Sequence, residues 1–230
     1  MIQDPSAELV RLVQRAGDEP RPSDRAAVAL VRRRFGLALP PPFAEPVAQA
    51  SDGSLDIPIR AASAADGPAI AAVKWRSWRV GYRGVVSDDL LDHLGVVPPA
   101  AAWTALAAAP PNSTTVLLVA GRPGEVHAFC ALGPTEDADL DPARTGQIRP
   151  VYVDPSLYRQ GIGARLVAEA LDRLGRLGFT GARLWVIDRN QRARRFYEAL
   201  NWEPDGATAR REFTGLTTDE VRYRFGGPLG

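Results

Sequence analysis

A strand, a glycine turn and a helix follow one another between Gln147 and Ala164, and this arrangement constrains the fold more than any other part of the chain. The segment, QIRPVYVDPSLYRQGIGA, runs from β-branched residues through a turn with Pro155 to Gly161 and Gly163. An amphipathic helix follows at once. The start of a helix carries backbone N–H groups without intrahelical partners, and the helix dipole adds positive potential there. The segment therefore predicts a cradle for an anion, with a phosphate-bearing ligand as its occupant.

Two other phosphate-binding turns are excluded by single residues. A dinucleotide-binding Gly-x-Gly-x-x-Gly needs a third glycine where Leu166 stands, and no acidic residue follows at the right place on a second strand. A P-loop needs Gly-Lys-Ser/Thr, and the only lysine of the chain is Lys74. Taken alone, this short turn is also compatible with another interpretation, an ordinary strand–helix connection that happens to contain Gly-x-Gly.

The chain on both sides of the cradle narrows this choice. Arg183–Asp188 is a predicted buried strand, followed by Asn190, by Phe196-Tyr197 on a helix and by Asn201-Trp202. With the cradle, this order resembles the GNAT superfamily of N-acetyltransferases, whose acyl-CoA-binding segment is a strand, Val-x-Val-x-Pro, Gln/Arg-x-x-Gly-x-Gly/Ala and a helix. Three upstream segments look like the first strand and first helix of that family: Ile59-Arg60, Asp66–Ile70, and Ser77–Arg79 with Tyr82–Gly84.

The resemblance covers about residues 56–226 and implies both a fold and an activity. The implied fold is α+β, with a mixed, mostly antiparallel central sheet flanked by helices. The implied activity is transfer of an acetyl group from acetyl-CoA to a primary amine, directly within a ternary complex, because no cysteine or serine has a recognisable nucleophile arrangement. The alternative is a non-catalytic acyl-CoA-binding or regulatory module, which two departures from the family, Gln147 and Tyr158, favour.

Residues 1–55 are predicted to form a helical N-terminal extension and a Pro-rich linker, and residues 56–230 to form the acetyltransferase domain. Apolar residues at helical spacing in 6–16 and 23–35 precede Pro40-Pro41-Pro42, which excludes a helix or a central strand. With few large apolar residues, the extension must dock on the domain, pair with a second copy in a homodimer, or stay loose.

In the domain, helical periodicity predicts helices and β-branched runs predict strands. The expected strands are 57–61, 114–120, 126–133, 147–153, 182–188, 209–214 and 219–225, and the expected helices are 66–82, 87–94, 98–109, 161–177 and 191–200. The helix over 161–177 has the clearest apolar stripe: Ile162, Leu166, Val167, Ala170, Leu171 and Leu174.

Composition bounds the partners and the compartment. The 230 residues carry a net charge of +1, so nothing indicates nucleic acid or an acidic membrane as a partner. Cys130 is the lone cysteine and cannot form an internal disulfide. Asp4 and Glu8 stand where a signal peptide would be basic and then apolar, and no apolar run approaches the ~20 residues of a membrane span. We therefore expect a cytoplasmic protein.

The resemblance assigns the cofactor contacts by position. It implies that pyrophosphate is held by backbone N–H groups of the cradle: Arg159, Gln160, Gly161, Ile162, Gly163 and Ala164. It implies that the backbone of Val151, Tyr152 and Val153 binds pantetheine and the acetyl oxygen. Pro150 has no N–H, so we expect either a bulge or break in pairing there, or merely the edge of the sheet. Asn190 is expected to contact pantetheine, to cap the next helix, or both.

Tyr197 lies where the family has its acid, which protonates the departing thiolate. A phenol with an ordinary pKa of ~10 can donate a proton at neutral pH, although Phe196-Tyr197 is also typical core material. The base is less clear, because the family often has a carboxylate where Gln147 stands. Four residues are alternatives by type only: Asp188, Glu125, His93 and His127.

Trp78 and Tyr82 are the candidates for the acceptor groove, because in the family this groove lies between the first helix and the last hairpin of the sheet. Trp75, Trp78, Arg79 and Tyr82 recur at near-helical spacing, so an aromatic core stripe is an equally open interpretation. The acceptor is either a small-molecule amine or a protein amine.

Overall fold

One sheet of eight strands forms the centre of the chain in a computed structural model, which describes residues 57–85, 91, 100–108, 115–213 and 216–229. The strands are β1 (Ile59–Ala61), β2 (Val116–Ala120), β3 (Ala128–Pro134), β4 (Thr145–Ile148), β5 (Tyr152–Val153), β6 (Gly181–Ile187), β7 (Trp202–Phe213) and β8 (Leu216–Phe225). The helices are α1 (Gly67–Gly81), α2 (Ala100–Ala107), α3 (Ile162–Arg176) and α4 (Gln191–Glu198).

The strand order confirms the expected mixed, mostly antiparallel sheet. The strands lie in the order β1-β2-β3-β4-β6-β8-β7, and the short β5 also pairs with β3. Only β4 and β6 run parallel, and the chain between them passes through α3. A parallel pair needs such a crossover, whereas the antiparallel neighbours can be joined by short turns.

The two faces of the sheet differ in what covers them. On the face of the sheet that α3 covers (the α3 face), the apolar stripe predicted for this helix packs against alternate residues of the strands, among them Cys130 and Leu184. On the α1 face, Phe129 is buried with Ile70 and Val73 of α1. Side chains alternate along a strand, so the neighbours of the buried α3-face residues in β6 and β8 must belong to the α1 face. Those neighbours include four polar or aromatic residues, Arg183, Trp185, Glu220 and Arg222, beside the apolar Ile187.

The start of α1 is fixed to β1 by a buried ion pair. Asp66 is fully buried, and its two carboxylate oxygens each accept a hydrogen bond of 2.8 Å from the Arg60 guanidinium. The same carboxylate accepts from the backbone N–H groups of Ser63 and Gly124. These bonds hold the pKa of Asp66 well below its ordinary value, since the Arg60 interaction outweighs the cost of burial.

Two predicted strands differ from those observed. The strand expected over 147–153 is divided, since β4 ends at Ile148 and β5 begins at Tyr152. The strand expected over 209–214 begins earlier, at Trp202. Pro204, Asp205 and Gly206 are residues typical of turns, but the sheet accommodates them as a register shift, with Gly206 at a φ of 95°.

Some expectations lie outside the described residues. These are the N-terminal extension (1–55) and all but one position of the short helix expected over 87–94. The helix expected over 98–109 is present as α2. Within the described ranges, no helix combines the length and apolarity needed to cross a bilayer.

Candidate active site

The glycine turn forms the cradle through two residues in the left-handed region. Gly161, which precedes α3, has a φ of 76°, and Arg159 has a φ of 64°. The first bond of the helix runs from the Arg165 N–H to the Gly161 carbonyl at 3.0 Å. The preceding N–H groups at the start of α3 therefore have no carbonyl within the helix to bond, which is the arrangement that binds anions.

Gly163 is needed for space rather than for its backbone conformation. A Cβ at this position would lie 3.3 Å from Phe196 Cζ and 3.4 Å from Val153 Cγ2. The start of α3 thus packs directly on α4 and β5. The two glycines of the motif meet two different requirements, because Gly161 supplies the turn and Gly163 supplies the close approach.

Arg192 brings a guanidinium to the edge of the cradle, and sequence reasoning missed it. The family usually has Gln or Arg where Tyr158 stands. Arg192 Cζ lies 4.7 Å from the centre of the Tyr158 ring. A Cβ at Gly81 would meet both residues, at 3.0 Å from Arg192 Nη2 and 3.4 Å from Tyr158 Oη. The signal in the sequence was an arginine at the second position of α4, but only the fold brings it beside Tyr158.

The break at Pro150 is a one-residue bulge. Leu132 pairs with Ile148 and Phe129 pairs with Tyr152, so four steps along one strand face three along the other. An extra residue of this kind bends a strand and interrupts its ladder. The expectation of a bulge or break is therefore confirmed.

The bulge turns backbone donors away from β3. The Asp154 N–H donates to the His127 carbonyl at 2.7 Å, and donors alternate in direction along an antiparallel strand. The N–H of Val153 must then point away from β3. The N–H of Val151 hydrogen-bonds to the phenol oxygen of Tyr197. The gap that opens between β5 and β6, where β5 pairs only with β3, is therefore lined by backbone donors.

Tyr197 packs in the core through its ring and lines this gap with its phenol oxygen. Its ring packs against Phe196 and Trp202, with centroids 5.0 and 6.2 Å apart, and only 6% of the residue is exposed. Burial raises the pKa of Tyr197, and the hydrogen bond from Val151 only partly opposes that rise. The phenol is thus protonated at neutral pH, and its oxygen faces the gap.

Helix α1 is bonded directly to β5. Arg76 Nε donates to Asp154 Oδ2 at 2.8 Å, and Ser77 Oγ donates to the Val153 carbonyl at 2.7 Å. Burial alone would raise the pKa of Asp154, but hydrogen bonds from Ser156 and Arg76 hold it below its ordinary value. Asp154 also begins the short turn that leads to the cradle, so α1, β5 and the cradle share one ionised carboxylate.

Trp78, Tyr82 and Tyr152 form an aromatic cluster between α1 and β5. The Trp78 ring stacks on Tyr82 with centroids 4.8 Å apart, and Trp78 Nε1 donates to Tyr152 Oη at 3.2 Å. Tyr82 also donates to that oxygen. The two residues predicted for the acceptor groove therefore meet Tyr152, for which the sequence indicated only a backbone role.

Glu220 is a second residue that sequence reasoning missed. It lies on β8 opposite Ile187 of β6, and its side chain is 19% exposed. Its nearest cation is Arg211, with 3.2 Å between Nε and Oε2. Burial raises the pKa of Glu220, and Arg211 opposes that rise. Burial is the main cause that raises the pKa of Tyr82 and of Tyr152, and the Glu220 carboxylate adds a smaller rise to both.

The base candidates taken from the sequence are held elsewhere. Asp188 pairs with Arg194 at 2.5 Å, and Glu125 pairs with His127 at 3.4 Å on the connection between β2 and β3. Gln147 is buried and accepts from the N–H of Glu136 at 3.4 Å. His93 lies outside the described residues.

Asn190 caps α4, as the capping interpretation predicted. Its Oδ1 accepts from the N–H of Ala193 at 3.1 Å, and the residue is buried. Among the described residues, its amide NH₂ group has no hydrogen-bond partner. A pantetheine contact by that group stays a prediction.

Comparisons with known proteins find N-acetyltransferases by sequence and by fold. The sequence profile described as "Acetyltransferase (GNAT) family" matches residues 76–202. A Mycobacterium tuberculosis protein named "Probable N-acetyltransferase" is 29% identical over 170 residues, which are 74% of this chain and 93% of that protein. The PaiA N-acetyltransferase of Thermoplasma acidophilum, solved in complex with coenzyme A, has a TM-score of 0.53 at 18% identity over 73% of this chain and 98% of that one. An N-acetyltransferase from Staphylococcus aureus has a TM-score of 0.57 at 18% identity over 76% of this chain and 100% of that one.

Proposed function

Because the chain belongs to the GNAT family of N-acetyltransferases, we propose that it moves the acetyl group of acetyl-CoA to a primary amine, directly and within a ternary complex. The main support for this proposal is the hydrogen bond between the Val151 N–H and the Tyr197 phenol oxygen at the gap beside the cradle. The N–H can polarise the thioester carbonyl, and the phenol can protonate the departing thiolate. Aminolysis of a thioester requires both. The coenzyme A bound by a protein of the same fold supports the choice of donor.

The cradle is the proposed pyrophosphate site. Phosphate oxygens would accept from the backbone N–H groups of Arg159, Gln160, Gly161, Ile162, Gly163 and Ala164, with the dipole of the 15-residue α3 behind them. The guanidinium of Arg192 lies at the same edge and adds positive charge where Tyr158 replaces the usual side chain. The free amide NH₂ of Asn190 would bond the pantetheine arm.

Backbone donors of the gap are the proposed oxyanion site. When the thioester binds, the Val151 N–H would release the phenol oxygen and donate its hydrogen bond to the acetyl carbonyl oxygen. The N–H of Val153 would donate to the pantetheine arm. A positioned donor of this type lowers a barrier by about 3 kcal/mol because it is aimed at charge that develops only in the transition state. Tyr152 contributes backbone to this strand and its ring to the aromatic cluster.

Tyr197 is the proposed acid. As the C–S bond breaks, the phenol gives its proton to the thiolate of coenzyme A, which leaves as the thiol. The buried position supports this role, since a raised pKa keeps the proton on the phenol until a stronger base forms beside it.

Direct transfer is supported by the state of the cysteine. Cys130 is fully buried on the α3 face, and burial raises the pKa of its thiol to about 12. A thiol in that state supplies almost no thiolate at neutral pH and is a poor nucleophile. The amine itself therefore attacks the thioester, and no acyl-enzyme intermediate is needed.

The acceptor would approach along the aromatic cluster of Trp78, Tyr82 and Tyr152. Aromatic faces attract cationic amines, and the indole and phenol edges are polar enough to stay in contact with water. Both a small-molecule amine and the amine of a protein fit this description.

Two measurements on the purified chain test the proposal. Calorimetry should detect binding of coenzyme A, and thiol release from acetyl-CoA should increase when primary amines are added. A panel of alkylamines, polyamines, amino acids and lysine peptides covers the open acceptor classes. Binding of coenzyme A without amine-stimulated thiol release across the panel would instead establish the non-catalytic module, and an absence of coenzyme A binding would overturn the cradle assignment.

A further inference from the structure

Arg149, immediately before the bulge at Pro150, has a buried guanidinium nitrogen without a hydrogen-bond partner. Its side chain is 28% exposed, but its Nη1 is buried, and no group among the described residues accepts a hydrogen bond from that atom. Leaving a buried charged donor unsatisfied is costly, so folded proteins rarely do so outside functional sites. This nitrogen is therefore a candidate contact for a bound anion.

Three other buried nitrogens among the described residues share this property: Arg173 Nε, Arg183 Nε and Trp202 Nε1. Arg183 Nε lies 3.4 Å from Asp205 Oδ2, so its charge is compensated at the same atom. Trp202 is uncharged and belongs to the core of the α3 face. Arg173 is part of α3, on the far side of the sheet from α1. Of the four, only Arg149 lies beside the strand that leads to the proposed oxyanion site.

The bulge brings Arg149 to the same face of the sheet as the aromatic cluster. The Arg149 N–H donates to the Ala131 carbonyl at 2.8 Å, so Arg149 is opposite Ala131, as Tyr152 is opposite Phe129. Ala131 and Phe129 are both buried in the core of the α1 face, and the Tyr152 ring packs on Phe129 with centroids 5.1 Å apart. Residues opposite each other in antiparallel strands direct their side chains to the same face.

The spacing along β3 gives the separation of the two residues. Phe129 and Ala131 are two residues apart, so the backbones of Tyr152 and Arg149 are about 7 Å apart. Without the extra residue of the bulge, positions 149 and 152 would point to opposite faces of the sheet, because side chains alternate along a strand. The bulge thus has a second consequence besides the freed N–H groups.

The anion that Arg149 holds in the free protein can be replaced. Glu136 accepts from Nη2 but not from Nη1, and its side chain is 71% exposed. An ion pair with so exposed a partner stabilises a protein little, so a carboxylate from outside can displace Glu136 at small cost. Two carboxylate oxygens placed across the two terminal nitrogens would bond Nη1 as well as Nη2.

Within the described ranges, Glu136 is the only carboxylate that pairs with Arg149. The family often has a carboxylate two residues before this position, where Gln147 stands. The amide oxygen of Gln147 accepts from the Glu136 N–H at 3.4 Å and carries no charge. The departure at Gln147 therefore leaves the positive charge of Arg149 without a second anion on its own strand.

We propose that Arg149 binds a carboxylate of the acceptor, and that the rest of the acceptor lies on the aromatic cluster of Trp78, Tyr82 and Tyr152. The carboxylate displaces Glu136 and bonds both terminal nitrogens of the guanidinium. This inference rests on the proposed acetyltransferase function and narrows its substrate class. The acceptor is an amine that also carries a carboxylate, such as a free amino acid.

The experiment compares amines that differ only in the carboxylate. With saturating acetyl-CoA, kcat/KM is measured for phenylalanine against 2-phenylethylamine and for 6-aminohexanoate against pentylamine. Wild type should prefer the carboxylate member of at least one pair. Arg149→Gln should lower kcat/KM for that member by about 10- to 150-fold, as expected for loss of a hydrogen bond between charged groups. The value for the amine without the carboxylate should change less than about threefold. The ratio within a pair comes from one enzyme preparation, so partial misfolding of the variant cannot change it.

Two further variants separate binding from a structural role. If only the ion pair mattered, Glu136→Gln and Arg149→Gln would have equal effects. If Arg149 binds the acceptor, Glu136→Gln removes a competing anion, and kcat/KM for the carboxylate member should equal or exceed that of wild type. Arg173→Gln is the matched control, since it removes an arginine with a buried unpartnered nitrogen from the other face, and it should leave the ratio unchanged. Equal losses in Glu136→Gln and Arg149→Gln would overturn the inference.

Inhibition supplies a readout of binding that does not need turnover of the carboxylate compound. The amine-free analogue of the preferred acceptor, 3-phenylpropionate or hexanoate, should compete with the amine substrate in wild type. Its inhibition constant should rise by about 10-fold or more in Arg149→Gln, for the same reason as above. An unchanged inhibition constant contradicts the carboxylate site.

If wild type releases no thiol with any amine, the acetyltransferase proposal fails, and this inference fails with it. If wild type is active but prefers neither carboxylate member, or if Arg149→Gln lowers both members of a pair equally, only the Arg149 inference fails. The two failures are therefore distinguishable.

Discussion

Replacing Tyr197 by phenylalanine removes one oxygen from the place where the proposed acid and the proposed oxyanion donor meet. The ring is 6% exposed, so water reaches the departing sulfur poorly from that side, and no described carboxylic acid is bonded to the phenol. General acid catalysis contributes about 10²- to 10⁴-fold, which is about 2.7 to 5.4 kcal/mol of activation free energy. We expect kcat to fall within that range.

The cofactor affinity of the Tyr197→Phe variant should change little. The cradle is built from backbone and lies on α3, whereas the lost oxygen lies on α4. The substitution leaves the Val151 N–H without its acceptor in the free protein, and a buried unpaired donor costs about 1 to 3 kcal/mol of the free energy of unfolding. In the complex with acetyl-CoA, that N–H regains an acceptor in the thioester carbonyl, so calorimetry without an amine should give an acetyl-CoA affinity at least as high as that of wild type.

Tyr223→Phe is the control for this experiment. Tyr223 is fully buried in the same core, and its hydroxyl accepts from Arg194 Nε at 3.0 Å and donates to Glu198 at 2.9 Å. Its loss should lower stability by a similar amount without affecting turnover. A Tyr197→Phe enzyme whose kcat stays within about threefold of wild type on a good amine would remove Tyr197 from the mechanism, since an acid is worth far more.

The pH dependence of wild type gives an independent check on Tyr197. Burial raises the pKa of this phenol above the ordinary 10.0. The acid is active when protonated, so turnover should show no alkaline fall due to Tyr197 between pH 7 and 10. A limb in this range that disappears in Tyr197→Phe contradicts the raised pKa.

Four further substitutions have defined outcomes. Asp66→Asn should cost about 1.5 to 3 kcal/mol, because Arg60, whose side chain is 23% exposed, loses its charged hydrogen-bond partner. Because the folded pKa of Asp66 is lowered, wild type should lose this stability only as the pH falls below the ordinary 3.8, which acid unfolding monitored by circular dichroism checks. Gly161→Ala should lower thermal stability by about 1 to 2 kcal/mol through its φ of 76° and should weaken coenzyme A binding. Arg159→Gly should raise stability by up to about 1 kcal/mol, because glycine adopts the φ of 64° without strain. Cys130→Ala should retain turnover, whereas an inactive but folded variant would point to an acyl-cysteine.

The local parts of the fold and site could be predicted because their causes are local in the sequence. The apolar stripe of α3 has helical spacing, and Gly178, just past the end of that helix, has the positive φ of 89° that glycine favours there. The bulge was predicted because a proline without an N–H cannot continue a ladder. The cap at Asn190 followed from the preference of asparagine for the position before a helix.

The missed parts depend on distant segments. Glu220 lies opposite Ile187 of β6 and contacts Arg211 of β7, and only strand pairing brings these residues together. Arg192 reaches Tyr158 in the same way, through the packing of α4 beside the cradle. The length of β7 was missed for another reason: Gly206 and its neighbours favour a turn, and the sheet absorbs that preference as an irregularity within the strand.

The two hydrogen bonds that join α1 to β5 have a practical consequence for engineering. Arg76 and Ser77 hold the strand whose amides would bind the donor, and Trp78, the next residue along the helix, belongs to the proposed acceptor site. Redesigning α1 to accept a new amine would therefore disturb the Michaelis constant for the donor as well. The hairpin of β7 and β8 shares no such bonds with β5 within the described ranges, so acceptor preference is better altered from that side.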